Sequence, residues 1–155
     1  MFKNHVKPGM NVLDTGCGGG FASIGLAELV GENGSVTSVD LQQEMLDFMI
    51  KRATKKGVEN RIIPHKCEKD RIGLSGSYDF VNAFYMVDEV PNTETFLKEI
   101  YTLMNTGARL FIAEPRFHVT TGQFQSMIRM AQKTGLSLKE TPKIRFSKAV
   151  IFSKN

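Results

Sequence analysis

Apolar positions along the chain follow two rhythms that alternate. Short apolar or β-branched runs predict strands at residues 11–15, 35–40, 61–66 and 109–115. A longer run, Tyr78–Val87, suits a central strand buried on both faces through Phe80, Val81, Ala83 and Phe84. Between these runs the spacing changes to three and four, which predicts helices. One helix covers about 20–30. A second covers about 42–56, with Met45, Leu46, Met49 and Ala53 on one stripe. A third covers about 93–105, with Phe96, Leu97, Ile100, Leu103 and Met104, and Gly107 ends it. Thr120–Gln123 fits a capping box for a fourth, whose stripe is Phe124, Met127, Ile128 and Ala131, with Gly135 as its stop. Leu136–Glu140 and Lys148–Phe152 then read as a terminal antiparallel pair. Pro64 removes a ladder donor and marks the third strand as an edge.

Strand–helix alternation predicts an α/β fold with a mostly parallel sheet. The 155 residues are expected to form one domain. Apolar content of 41% and charged content of 23% are those of an ordinary globular protein. No apolar run reaches the roughly 18 residues that a membrane span needs. The first residues lack the apolar centre of a signal peptide. Cys17 and Cys67 have no metal-like spacing and read as reduced thiols, so a cytoplasmic protein without a metal is expected. The net charge of +4 admits an anionic partner such as nucleic acid. The basic residues are scattered, however, and a solvated surface is the favoured reading.

The candidate chemistry sits in Asp14-Thr15-Gly16-Cys17-Gly18-Gly19-Gly20, between the first strand and the first helix. Glycines permit positive φ and let a ligand approach the main chain. A dinucleotide fingerprint needs Gly or Ala at a third position that Phe21 fills here, and no Lys follows as in a P-loop. An acid before the turn suits a ligand with a cationic amino-acid end and repels a pyrophosphate. Asp40 ends the second strand, where an acid can accept hydrogen bonds from ribose hydroxyls. It could equally cap the helix that follows.

The pattern Asp14-x-Gly16-x-Gly18-x-Gly20 resembles the first motif of the class I S-adenosyl-L-methionine (SAM)-dependent methyltransferases. Tyr85-Met86-Val87-Asp88-Glu89-Val90-Pro91 resembles the loop over the cofactor in the small-molecule branch, which includes quinone-biosynthesis-like and "type 11" enzymes. Many members have His at the place of Asp88. The resemblance implies a Rossmann-like, doubly wound, seven-stranded sheet of order 3-2-1-4-5-7-6, its last strand antiparallel, in three αβα layers. It implies SAM as cofactor and S-adenosyl-L-homocysteine as product. It also implies roles for particular residues. The backbone at Gly16, Cys17, Gly18 and Gly20 would cradle the methionine moiety, and Asp14 would hold the turn or the amino group. Asp40 would bind the ribose, and Leu41 and the Cys67–Glu68 loop would flank the adenine. Ala83 and Phe84 would floor the methionine and sulfonium. The acid that contacts adenine in the family is Glu68 or Asp70 here, with Cys67 at its usual place.

The activity so implied is methyl transfer to a small-molecule acceptor. RNA or protein methylation, or SAM binding without turnover, are the alternatives. Methyltransferases that act on the exocyclic amino groups of nucleic-acid bases often carry Asn/Asp-Pro-Pro-Tyr here, and Asn82-Ala83-Phe84-Tyr85 lacks both prolines, which argues against that chemistry. No catalytic residue can be named. Glu114, Asp88, Glu89 and His118 are the candidates near the crevice. About ten residues precede the first strand, and no large insertion follows the fifth. An open acceptor side is therefore expected, lined by exposed Phe2, Tyr85, Met86 and Phe117: either the acceptor is bulky, or a partner subunit such as a second copy of the chain completes the pocket, or catalysis is weak or absent.

Overall fold

The computed structural model describes residues 1–155. Seven strands form one sheet: β1 (Asn11–Thr15), β2 (Ser35–Asp40), β3 (Ile62–Lys66), β4 (Tyr78–Phe84), β5 (Met104–Pro115), β6 (Leu136–Glu140) and β7 (Ser147–Lys154). Their order is β3-β2-β1-β4-β5-β7-β6, as the resemblance implied. The first five strands are parallel, and β7 runs antiparallel to both β5 and β6. Four helices connect them: α1 (Phe21–Val30), α2 (Gln43–Lys56), α3 (Thr93–Leu103) and α4 (Thr121–Thr134). No helix is long and apolar enough to cross a membrane.

The pleat of the sheet divides the core between two layers. Val12 and Leu13 are adjacent and fully buried, yet they join opposite clusters. Leu13, Val81 and Leu110 face α3 and α4 through Leu97, Ile100, Met127 and Ile128. Val12, Val36 and Phe80 face α1 and α2 through Leu26, Leu46 and Met49. Period-two alternation in the strands and the three-and-four spacing in the helices are thus two halves of one burial scheme.

The helix ends follow local chemistry. Thr120 and Gln123 form the capping box, with Gln123 N donating to Thr120 Oγ1 at 3.1 Å and Thr120 N to Gln123 Oε1 at 2.9 Å. Asn92 caps α3 by accepting from Thr95 N at 2.9 Å. Asn92→Ala is expected to lower stability by about 1 kcal/mol, the usual value of an N-cap, read by urea unfolding.

Three expectations need correction. The third helix stops at Leu103, two residues early, and Gly107 does not end it. Gly107 lies inside β5 at φ +86°, where β5 starts at Met104 opposite Tyr78 and slips register before Arg109. The apolar stripe ran on through Met104 because that side chain is buried whichever element carries it. The fourth strand ends at Phe84: Tyr85 adopts φ +58°, and a 3-10 turn follows at Val87–Glu89. Phe2 is not exposed. Its ring stands edge-on to Phe80 and Phe111 at centroid distances of 5.9 and 5.7 Å, so the amino-terminal segment closes one end of the core.

Candidate functional site

β1 pairs with β2 on one side and β4 on the other, so the connections leave in opposite directions at its carboxyl end. A crevice opens at such a switch point. The glycine turn lines it. Gly16, Gly18 and Gly20 have φ of +66°, +52° and +88°, where side chains other than glycine are strained. Hydrogen bonds fasten the turn to β2: Cys17 N donates to Val39 O at 2.8 Å, and Gly18 N donates to Asp40 Oδ2 at 2.9 Å. The other Asp40 oxygen accepts from Gln42 N at 2.9 Å. One carboxylate thus holds both the turn and the start of α2. Spare lone pairs remain on each oxygen.

The crevice is a cavity of about 630 Å³, within the range of small-molecule sites. Of the residues predicted for it, Gly16, Gly18, Asp40, Leu41, Cys67 and Glu68 line it together. Asp14, Cys17, Gly20, Ala83 and Phe84 do not. Asp14 is 1% exposed; its carboxylate accepts from Ser23 Oγ at 2.5 Å and Asn82 Nδ2 at 2.8 Å. It is a strut that joins β1 to α1 and β4, which is the turn-holding alternative of the two expected roles. Burial pushes its pKa up to about 6, opposed by the Ser23 and Asn82 bonds, and Asp40 pushes in the same direction as burial. Cys17 is buried, and desolvation together with the charges of Asp14 and Asp40 raises its thiol pKa. Gly20 sits over Met49, Ala83 is fully buried, and Phe84 stacks on Tyr85 at 4.0 Å.

From the loop Tyr85 to Pro91 the sequence pointed to Tyr85 and Met86 for the acceptor side and to Glu89 as a candidate base, but not to Val90 or Pro91 as cavity residues. Tyr85, Met86, Glu89, Val90 and Pro91 all line the cavity. Met86 lies directly over the turn: a Cβ on Gly16 would fall 2.8 Å from the Met86 Cβ. Nothing in the apolar pattern encodes this, because Tyr85 reverses the chain with positive φ and without a glycine. Acidic side chains outnumber basic ones in the lining, with Asp40, Glu68, Asp70, Glu89 and Glu99 against Lys69 and Arg71. Glu99 is already engaged by Ile72 N and Gly73 N. A glycine cradle, a carboxylate with free lone pairs and an acidic lining fit SAM, whose sulfonium and amino group are both cationic.

The candidate bases separate. Glu89 faces this cavity, whereas Glu114, Asp88 and His118 line a second one of about 370 Å³ between β5 and α4. Glu114 is 2% exposed, and its Oε1 accepts from Val87 N at 2.9 Å. Desolvation, and then the neighbouring Asp88 carboxylate, push its pKa up to about 8.

A family described as a methyltransferase domain matches residues 6–146. The chain belongs to the class I SAM-dependent methyltransferases. Similar curated proteins include a ubiquinone biosynthesis O-methyltransferase of Shewanella pealeana. It is 34% identical over 105 residues, which are 68% of this chain and 43% of that protein. A demethylmenaquinone methyltransferase of Lactobacillus johnsonii is 31% identical over 113 residues, 72% of this chain and 46% of the relative. The matched stretch is less than half of either relative. Among solved structures, a SAM-dependent methyltransferase from Aquifex aeolicus has the same fold. It superposes with a TM-score of 0.85 at 23% identity, covering 97% of this chain and 85% of that one.

Proposed function

We propose that this methyltransferase domain, residues 1–155, binds SAM in the larger cavity and transfers its methyl group to a small aromatic acceptor of the quinone-precursor class. The observation that carries this reading is the Gly18–Asp40 pairing at the ends of adjacent strands. It places a bare backbone and a carboxylate side by side on one cavity wall. The names of the relatives support the acceptor class. In this reading the main chain at Gly16 and Gly18 receives the amino-acid end. Asp40 accepts from the ribose hydroxyls with its free lone pairs. Leu41 and the Cys67–Glu68 loop flank the adenine. Asp14 acts from beneath, by fixing the turn.

SAM supplies a methyl group that is already activated by its sulfonium. The work of the chain is then alignment and exclusion of water. Met86 and Tyr85 cover the turn from the β4 side, and Glu89 is the lining carboxylate placed to take a proton from an acceptor hydroxyl.

Titration calorimetry with S-adenosylhomocysteine tests the reading, with NAD as the control. Heat with the first and none with the second is expected; the reverse overturns the proposal. Asp40→Ala is expected to weaken S-adenosylhomocysteine binding by about 2 kcal/mol, or about 30-fold, the scale of hydrogen bonds to a charged group. A labelled-methyl assay with a catechol or quinol acceptor then tests transfer.

A further inference from the structure

The smaller cavity is not used by that reading. It lies on the far side of the Val87–Glu89 turn: Met86 and Glu89 face the cofactor crevice, while Val87 and Asp88 face the smaller space. The chain leaves a polar atom unserved there. Glu114 is almost wholly buried, its Oε1 is taken by Val87 N, and its Oε2 has no hydrogen-bond donor from the protein. A buried carboxyl oxygen without a partner is costly, and such groups are rare in folded chains. Asp88 is the carboxylate beside it. No Lys or Arg lines the cavity, and neither acid takes part in an ion pair. The apolar part of the wall is the ring of Phe124, the thioethers of Met127 and Met130, and two valines, and Thr93, His118, Gln123 and Ser126 complete it. Aromatic faces and soft thioethers suit the apolar body of a cation.

We propose that this cavity is a second binding site, for a small organic ammonium ion held between the carboxylates of Glu114 and Asp88. An ammonium N–H serves Glu114 Oε2 and its charge answers Asp88. A neutral hydroxyl can serve only the first of these. In the free protein burial keeps a proton on Glu114, so proton and amine compete for its carboxylate. The ionisable groups lining the cavity are Asp88, Glu114 and His118. Binding of the amine should strengthen as pH rises toward 8, while the amine itself stays charged.

The methionine methyl groups report the site directly. Met127 and Met130 line the smaller cavity, and Met45 and Met86 line the larger. In protein labelled at the methionine methyls, benzylammonium is expected to move the Met127 and Met130 resonances, with benzyl alcohol binding about tenfold or more weakly. S-adenosylhomocysteine is expected to move Met45 and Met86 instead, so the two readings fail separately. Glu114→Gln, which keeps an acceptor for Val87 N, should cut benzylammonium affinity about tenfold or more. Asp88→Asn, at an exposed position, should do the same without burdening the fold. Equal affinity for amine and alcohol, unchanged affinity in the two variants, or no movement of Met127 and Met130 up to the solubility of the amine overturns the proposal.

Discussion

Glu114→Gln is expected to remove a fall in stability that the wild-type chain shows between about pH 5 and pH 8. Glu114 is protonated in the folded chain up to about pH 8, against an ordinary value of 4.5. Through that window the unfolded chain has released the proton and the folded chain has kept it. Stability is therefore full at and below the ordinary value and drains away as pH rises, at up to about 1.4 kcal/mol per pH unit. Above pH 8 both states are ionised and the loss is complete. Between pH 5 and pH 7.5 the sum is about 3 kcal/mol. Asp14 has the same sign, since its pKa is raised from 3.8 to about 6, but its window closes near pH 6. The Gln variant should retain only that earlier slope. Urea midpoints at pH 5, 6, 7 and 8 for the two proteins should diverge with rising pH. Parallel curves would show that Glu114 ionises freely in the fold.

Gly20→Ala is expected to destabilise the chain by about 2–5 kcal/mol. Two costs combine. Alanine at φ +88° meets the left-handed penalty of about 1–2 kcal/mol. Its methyl would also lie 2.3 Å from the Met49 Cγ, 3.0 Å from the Met49 Cβ and 3.4 Å from the Met49 Cα. Met49 is fully buried and cannot swing away, and overpacking of this kind adds about 1–3 kcal/mol. A fall in Tm of roughly 5–15 °C follows for a chain of this size. The control is Gly25→Ala, inside α1, where an added Cβ meets nothing within 4 Å. That change should leave Tm level or raise it, because alanine is the better helix former. Equal losses from both substitutions would mean that Gly20 is not tightly fitted over α2.

The strands and the helix stripes were legible because burial on a sheet or a helix repeats with a fixed period, which residues such as Leu13, Leu46 and Leu97 keep; the strand order came from the family resemblance, because no period encodes it. The glycine turn was legible because positive φ at Gly16, Gly18 and Gly20 selects one residue type. Asp14 was read as holding either the turn or the amino group, because a sequence does not say which way a carboxylate points. Its direction depends on Ser23 and on Asn82, and Asn82 is two elements away. Tyr85 and Gly107 misled for opposite reasons. Tyr85 takes the left-handed backbone that pattern reading reserves for glycine, and Gly107 is a glycine that stops nothing. The second cavity was invisible because it needs β5, α4 and the Val87–Glu89 turn at once.

The hydrogen bond from Asn82 to Asp14 spans 68 positions of the chain. Until β4 has been made and slotted beside β1, the glycine bend has no strut beneath it and no Met86 above it. An amino-terminal fragment ending before Tyr78 would contain every glycine of the motif and still be unable to grip a nucleoside. If the crevice takes SAM as proposed, a probe that senses its occupation also senses that the middle of the sheet has closed.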